Sequence, residues 1–222
     1  MALEDNIEYS NVKKVYENIA NHFNDTRKNV WPNVSKFILS LDKYSYMLDV
    51  GCGNGKNSVF AKKNNIICET CDLTERFCDI VYNEKDISSI CCNIIKLPYK
   101  SNCFDSVLNI AVLHHISSFE RRLECVNEFL RVLKIGGRMM IQVWAYENNE
   151  RVDKVGVSIN DNCDFLVKWS DKYSGKLFQR FYHLFRREEV ERLLDSIAEY
   201  NVEIEYISWE KSNWIFVVNK IG

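Results

Sequence analysis

Apolar positions recur along this chain in two rhythms. Phe119, Leu123, Val126, Leu130 and Leu133 fall three or four residues apart, the repeat of one helix face, and predict a helix over Ser117–Leu133 that Gly136-Gly137 ends. Val190, Leu193, Leu194 and Ile197 predict another over Arg187–Ala198. Residues 6–24 also read as a helix, and Pro32 opens one through Leu41, since proline suits a first helical turn. Short continuous apolar runs read instead as buried strands: Tyr44–Val50, Ile66–Cys71, Ser88–Cys92, Phe104–Ala111 and Arg138–Trp144. Helices at Lys56–Lys63 and Glu75–Tyr82 separate the first three. Val202–Trp209 and Trp214–Val218 close the chain as two strands around a Lys-Ser turn, and the polar stretch 146–174 takes no assignment.

Strands alternating with helices, then two strands in succession, predict an α/β protein. Its sheet is seven-stranded and mainly parallel, with an antiparallel C-terminal hairpin and helices on both faces. The segment 1–43 is an N-terminal helical cover on a single domain spanning 1–222. In an open sheet of this kind a ligand sits at the carboxyl ends of the strands, near the point where the strand order reverses.

Composition narrows the class. A net charge of −2 excludes a partner that coats nucleic acid with its whole surface, but not a local basic patch. The N-terminus lacks an apolar signal core, and no apolar run approaches the length of a membrane span. An odd count of nine cysteines then points to reduced thiols in the cytoplasm, or the nucleus. Cys68 and Cys71 form a CxxC that Cys91 and Cys92 could complete as a zinc site. Cys68 lies in a strand-like run without a glycine knuckle, however, so core packing is the better reading and no metal is expected.

The chemistry concentrates in Leu48-Asp49-Val50-Gly51-Cys52-Gly53-Asn54-Gly55-Lys56. Alternate glycines at a strand-to-helix turn let backbone approach a ligand where free N–H groups point outward. The spacing GxGxG differs from the dinucleotide GxGxxG, and the preceding Asp49 would repel a pyrophosphate while orienting a cationic ligand or the loop itself. Asp72, just past the second strand, suits the two hydroxyls of a ribose. Asn93, past the third, suits an adenine edge. Glycine turn, acid and amide at three successive strand ends describe S-adenosylmethionine, an adenosine with a sulfonium and no phosphate.

With these residues in view, the chain resembles the class I S-adenosylmethionine-dependent methyltransferases with their Rossmann-like fold. More narrowly it is similar to the eukaryotic tRNA wobble-uridine carboxymethyl methyltransferases. The likeness rests on Val15–Arg27 (VYENIANHFNDTR) with Trp31-Pro32, on Ala111–His115 (AVLHH), Glu120-Arg121-Arg122, Gly136-Gly137-Arg138 and Val143-Trp144-Ala145, then on Phe181–Arg186 (FYHLFR) and Ser212-Asn213-Trp214. It spans about 11–145 and 177–217; Asn93 stands where the family often has Asp, and 146–174 shows no clear match. The resemblance implies methylation of 5-carboxymethyluridine to its methyl ester in the anticodon loop of tRNA. The cofactor would be held by Tyr16, Asp49, Gly51, Gly53, Asn54, Gly55, Asp72, Asn93 and Ala111. The substrate would be oriented by Arg27, His114, Trp144, Arg180, His183, Arg186, Asn213 and Trp214, with 146–186 as a substrate-binding insertion.

A carboxylate nucleophile is already ionised at neutral pH, so the site needs a cationic clamp rather than a general base. Of the adjacent histidines, His114 is the one expected nearer the methyl group, and His183 serves either the substrate or the core edge. Lys172–Arg187 carries five basic residues and no acidic one, interleaved with Tyr173, Phe178, Phe181, Tyr182 and Phe185, which suits phosphates and unpaired bases. The competing reading packs those aromatics on the sheet. Ser88–Cys92 is expected at the sheet edge without lysine or proline to block pairing. The resemblance implies that a small zinc-binding activator subunit pairs there. Two alternatives stand beside this reading: a methyltransferase for small molecules or another RNA position, and a silent fold that binds without transferring methyl.

Overall fold

The computed structural model describes residues 7–197 and 200–222, so the first residue of the 6–24 helix and the last of the 187–198 helix lie outside the described residues. A π-type turn, Tyr9–Lys13, leads into α1 (Lys14–Thr26), and Pro32 occupies the first turn of α2 (Pro32–Leu39). Then follow β1 (Tyr46–Val50), α3 (Lys56–Lys63), β2 (Ile67–Asp72), α4 (Glu75–Lys85), β3 (Ser88–Cys91) and β4 (Phe104–Ile110). A short turn of 3₁₀ helix, Leu113–His115, precedes α5 (Phe119–Val132), whose N-cap Ser118 accepts the Arg121 N–H. The chain continues through β5 (Leu133–Trp144), α6 (Glu150–Val155), β6 (Gly156–Ser158), β7 (Asp164–Ser170), β8 (Leu177–His183), α7 (Arg187–Ser196), β9 (Val202–Glu210) and β10 (Asn213–Lys220).

The main sheet has the order β3-β2-β1-β4-β5-β10-β9, parallel from β3 through β5, with β10 antiparallel to both its neighbours. Strand order reverses between β1 and β4, which places the ligand crevice at their carboxyl ends. Successive residues of each strand face opposite layers. Leu48, Val107, Met139, Ile141 and Phe216 join α5 and α7 on one side, and Met47, Leu108, Met140, Ile215 and Val217 join α2 and α3 on the other. Lys211 and Ser212, both at positive φ, make the turn between the last two strands.

Three elements depart from the expected pattern. β5 begins at Leu133, and Gly136-Gly137 lies inside it, where the register to β4 jumps from Phe104–Leu133 to Ser106–Arg138. The glycines therefore form a bulge rather than a helix stop. Within 146–174 lie α6, β6 and β7, and β8 completes a second, three-stranded antiparallel sheet in the order β6-β7-β8. The end of β8 is buried residue after residue, with Tyr182 against His115 and Tyr16 from distant parts of the chain, so no simple alternation marks that strand. β8 packs on the N-terminal helical segment and on the Leu113–His115 turn, so the small sheet stands over the carboxyl end of β4. β3 forms one edge of the main sheet, paired only with β2.

Candidate active site

β1 delivers the chain into the glycine turn with Gly51, Gly53 and Gly55 all at positive φ. Two of these glycines are required by packing: a Cβ on Gly51 would come within 2.4 Å of Val112 Cγ2, and one on Gly55 within 2.8 Å of Val81 Cγ2. A Cβ on Gly53 would instead make an ordinary contact with Phe23 Cε1, at 3.6 Å. The turn is fastened from below by the Gly51 and Cys52 amides, which donate to the Cys71 carbonyl at 2.8 and 3.1 Å. A cleft of about 150 Å³, open at its mouth, runs past this turn. Its walls include Gly51, Gly53, Asn54, Asp72, Asn93, Ala111 and, from the N-terminal cover, Tyr16.

Asp72 accepts the Gly53 amide on one oxygen and the Thr74 amide on the other, each at 2.9 Å. The Thr74 hydroxyl and the Leu73 amide also reach this carboxylate, the kind of acceptor that a ribose diol needs. Burial raises its pKa despite those amides. A buried carboxylate here disfavours a phosphate and fits the phosphate-free adenosine of S-adenosylmethionine. Asn93 lines the same cleft, with its Oδ1 taken by the Ile95 amide at 3.1 Å. Asn54 Nδ2 donates to the Arg27 carbonyl at 2.8 Å, tying the glycine turn to the end of α1.

Asp49 and Gly55 stand apart from the cleft wall. Asp49 is buried beneath the turn and accepts the Ser58 hydroxyl at 2.5 Å, and burial pushes its pKa up to about 6. It therefore orients the loop and α3, one of the two roles expected of it. Gly55 is the N-cap of α3 and lets that helix approach α4.

The second half of the site lies above, where α1, the Leu113–His115 turn and β8 meet. Arg180 is buried, its Nη1 donates to Tyr182 Oη at 2.8 Å, and Tyr16 Oη lies 3.5 Å away. Its guanidinium stacks 4.8 Å from the Trp169 ring centre and 5.1 Å from that of Tyr182. Among the described residues no carboxylate pairs with it, and its Nε has no hydrogen-bond partner. Arg27 lies on the cleft wall at the end of α1, with its guanidinium 5.2 Å from the Phe23 ring and 5.5 Å from that of Trp169.

His115, not His114, belongs to the cleft wall, and its Nε2 meets Tyr16 Oη at 2.9 Å. His114 is turned inward. Its Nδ1 accepts the Trp144 amide at 3.1 Å and its ring stacks on Tyr182 at 4.8 Å. Burial holds its pKa well below the usual value, so it is a neutral anchor for the end of β5.

The remaining expected substrate residues sit outside the cleft lining. His183 is clasped on both nitrogens, at 2.6 Å by Asp164 and 2.6 Å by Glu189, and Glu189 also pairs with Arg122 at 2.8 Å. This is a core-edge ion network joining α5, α7, β7 and β8. Arg186 is exposed and covers Tyr146 at 3.8 Å. Asn213 donates to the Glu210 and Lys211 carbonyls and closes the β9–β10 hairpin. Trp214 is buried and donates to Glu147 at 3.0 Å. Trp144 is half-buried with its ring 4.3 Å from Tyr182.

The basic strip is also redistributed. Lys172 pairs with Asp25 at 3.2 Å, Arg187 pairs with Glu191 at 2.8 Å, and Arg180 is internal. Phe181, Tyr182 and Phe185 are core, and Phe178 packs against α1 and α4. Only Tyr173 of the five aromatics is strongly exposed, so the competing reading, packing on the fold, holds for most of them. Cys68 and Cys71 lie three apart on β2 and face opposite layers, so they do not converge. Among the described residues no group of His, Cys, Asp or Glu could hold a metal ion, and no helix is long and apolar enough to cross a membrane.

Sequence reasoning favoured the other histidine over His115, and counted Tyr182 only as an aromatic of the basic strip. Had Leu177–His183 been recognised as a strand, its period of two would have put Tyr182 beside Arg180 on one face.

This sheet order, glycine turn and adenosine-shaped cleft define a class I S-adenosylmethionine-dependent methyltransferase. The methyltransferase domain family matches residues 48–141. An S-adenosylmethionine-dependent methyltransferase of Methanosarcina mazei shares the fold, with a TM-score of 0.70 at 18% identity, covering 87% of this chain and 99% of that one. The tRNA (carboxymethyluridine(34)-5-O)-methyltransferase of Schizosaccharomyces pombe is 34% identical over 235 residues, covering 96% of this chain and 99% of that protein. The Xenopus tropicalis enzyme of the same name, alkbh8, is 29% identical over 97% of this chain, which spans 41% of that longer protein. The chain belongs to the tRNA (carboxymethyluridine(34)-5-O)-methyltransferase family, and S-adenosylmethionine is its cofactor.

Proposed function

We propose that the chain methylates the carboxylate of 5-carboxymethyluridine at the wobble position of tRNA, giving 5-methoxycarbonylmethyluridine. The observation that carries this is Arg180, a buried cation without a carboxylate partner among the described residues, set one hydroxyl away from the cofactor cleft. Burying an unpaired guanidinium is costly, and a substrate carboxylate supplies its missing counter-charge. S-adenosylmethionine supplies a methyl group on a sulfonium: the carboxylate oxygen bonds to the methyl carbon as the sulfur keeps the electron pair of the broken bond.

No proton moves in that exchange, because the acid is ionised well below neutral pH. His115 suits this. Burial pushes its pKa down to about 3, so it stays neutral and holds Tyr16 rather than acting as an acid. Arg27, on the cleft wall, is placed to meet the wobble nucleotide. Trp144 supports the clamp through its ring contact with Tyr182. Asp72, Asn93 and the Gly51–Asn54 turn hold the adenosine, with Tyr16 and Ala111 above and beside it.

The edge strand β3, with Ile90 and Cys91 exposed, supports pairing with a small zinc-binding activator subunit. Nine free thiols support a reducing compartment such as the cytosol. The test is nucleoside mass spectrometry of tRNA lacking the terminal ester, incubated with the full chain co-purified with its activator. The expected product is the wobble methyl ester. Methyl recovered at another position, or only on a small acceptor, would refute the reading. Arg180→Met should lower kcat/KM about 100-fold or more while S-adenosylhomocysteine affinity changes less than about threefold.

A further inference from the structure

The surroundings of Arg180 have a direction that follows from His115. Its Nδ1 lies 2.6 Å from the Phe181 carbonyl, which only accepts, so Nδ1 carries the proton and Nε2 is an acceptor. Nε2 is 2.9 Å from Tyr16 Oη, so Tyr16 donates to His115. The Tyr16 oxygen is then left to accept, facing Tyr182 Oη at 3.4 Å and Arg180 Nη1 at 3.5 Å. Tyr182 in turn accepts from Arg180 at 2.8 Å. Every proton in this chain points from Arg180 toward the Phe181 carbonyl, and every lone pair points back toward Arg180. All four side chains are buried, and none is an acid.

We propose that Tyr182, Tyr16 and His115 are positioning residues that hold Arg180 in place without neutralising it, so that the site distinguishes an ionised carboxylate from its uncharged amide and ester. The inference rests on the reading above, in which Arg180 receives the substrate carboxylate. A glutamate or aspartate in place of either tyrosine would fix the guanidinium equally well but cancel the charge the substrate must meet. Neutral hydroxyls orient the guanidinium and leave its charge in place. The same arrangement favours turnover, since methylation converts the bound anion into an ester that no longer pairs with Arg180. Tyr16 also lines the cofactor cleft, so the hydroxyl that steadies the clamp belongs to the element covering the cofactor.

The experiment measures binding of three anticodon stem-loop RNAs to the full chain saturated with S-adenosylhomocysteine. They carry carboxymethyluridine, its carboxamide or its methyl ester at the wobble position. The wild-type chain should prefer the carboxylate over the carboxamide by about tenfold or more, the range of a charge-assisted bond. Tyr182→Phe and Tyr16→Phe keep the rings and remove the hydroxyls, and each should reduce that preference to about twofold. For Tyr182→Phe, which lies outside the cofactor cleft, affinity for the carboxamide RNA and for S-adenosylhomocysteine should stay within about threefold, whereas a merely structural role would weaken all ligands together. Tyr16→Phe is read only through the carboxylate-to-carboxamide ratio, since Tyr16 also lines that cleft. Phe variants that keep the wild-type carboxylate preference would overturn the proposal while leaving Arg180 as the clamp. A wild-type chain with no preference, unchanged by Arg180→Met, would overturn both.

Discussion

At the residue scale, neighbouring side chains of the same type do opposite work because of which layer they face. His114 and His115 are adjacent, yet one braces the end of β5 and the other walls the cleft. Gly51, Gly53 and Gly55 likewise divide into two that packing demands and one, Gly53, whose Cβ would meet only an ordinary contact among the described residues. Gly51→Ala is the sharpest single test of this division. It would force a left-handed φ of 72° on a Cβ that overlaps Val112 at 2.4 Å. We expect a loss of about 2–5 kcal/mol, read as a Tm lower by roughly 5–15 °C, with weakened S-adenosylhomocysteine binding. Calorimetry showing an unchanged Tm would contradict the close approach of Val112 to the turn.

At the scale of elements, the N-terminal cover is a clasped one. Glu8, ahead of α1, is buried; it accepts the Ser117 amide at 2.9 Å and hydroxyl at 2.8 Å, and takes Arg121 bidentately at 2.9 and 2.7 Å. Val12, Tyr16 and Phe23 beyond it line the cleft, so the clasp holds the cover over the cofactor. Glu8→Ala removes one carboxylate from four donors. The dissociation rate of S-adenosylhomocysteine, followed by stopped-flow fluorescence, should rise about 5–50-fold, in line with loss of a partly buried charged pair. A rate unchanged within twofold would show that the cover closes without this clasp. The 6–24 region was legible as a helix from its apolar spacing, but its partner was not, because Ser117 and Arg121 lie more than a hundred residues away. The small sheet was illegible for the same reason. β8 is buried by contacts with α1 and the Leu113–His115 turn, and such burial erases the alternation that marks a half-exposed strand.

At the scale of the whole molecule, buried histidines set the response to acid. Burial lowers the pKa of His114 well below 6.5 and pushes that of His115 down to about 3, so both remain neutral in the folded chain. In the unfolded chain each binds a proton below about pH 6.5, so stability falls as pH drops through that value. For His115 alone the loss between pH 7 and pH 5 is about 2 kcal/mol. His183 acts in the opposite sense. Burial works to lower its pKa, but Asp164 and Glu189 outweigh it and raise the value. Its contribution is complete below the unfolded pKa and is lost as pH rises through the folded one. Asp49, raised to about 6, also takes up a proton in the folded chain over this interval and offsets roughly 1 kcal/mol of the loss. With two rings against that carboxyl and His183, Tm should still drop by a few degrees from pH 7 to pH 5. A Tm that rises over that interval in differential scanning calorimetry would contradict the neutral state of the pair.

The sequence by itself determined the parallel sheet, the C-terminal hairpin, the order of the helices, and that a glycine turn, Asp72 and Asn93 meet at one end of the sheet. Those features are written in local signals: apolar periods, a proline at a helix start, and glycines, acid and amide at three consecutive strand ends. Only the tertiary structure decided the surroundings of Arg180 and the two histidines. Charge counted along Lys172–Arg187 suggested an open basic strip, whereas folding buries Arg180, pairs Lys172 with Asp25 and turns Phe181, Tyr182 and Phe185 into core. Which histidine meets the cleft's tyrosine, and which hydroxyls face Arg180, depends on Tyr16 arriving from more than 160 residues away. A one-dimensional pattern records the periodicity of a segment. It does not record which distant segment will cover it, and burial by distant segments is what sets the protonation, direction and pairing of the groups that do the chemistry.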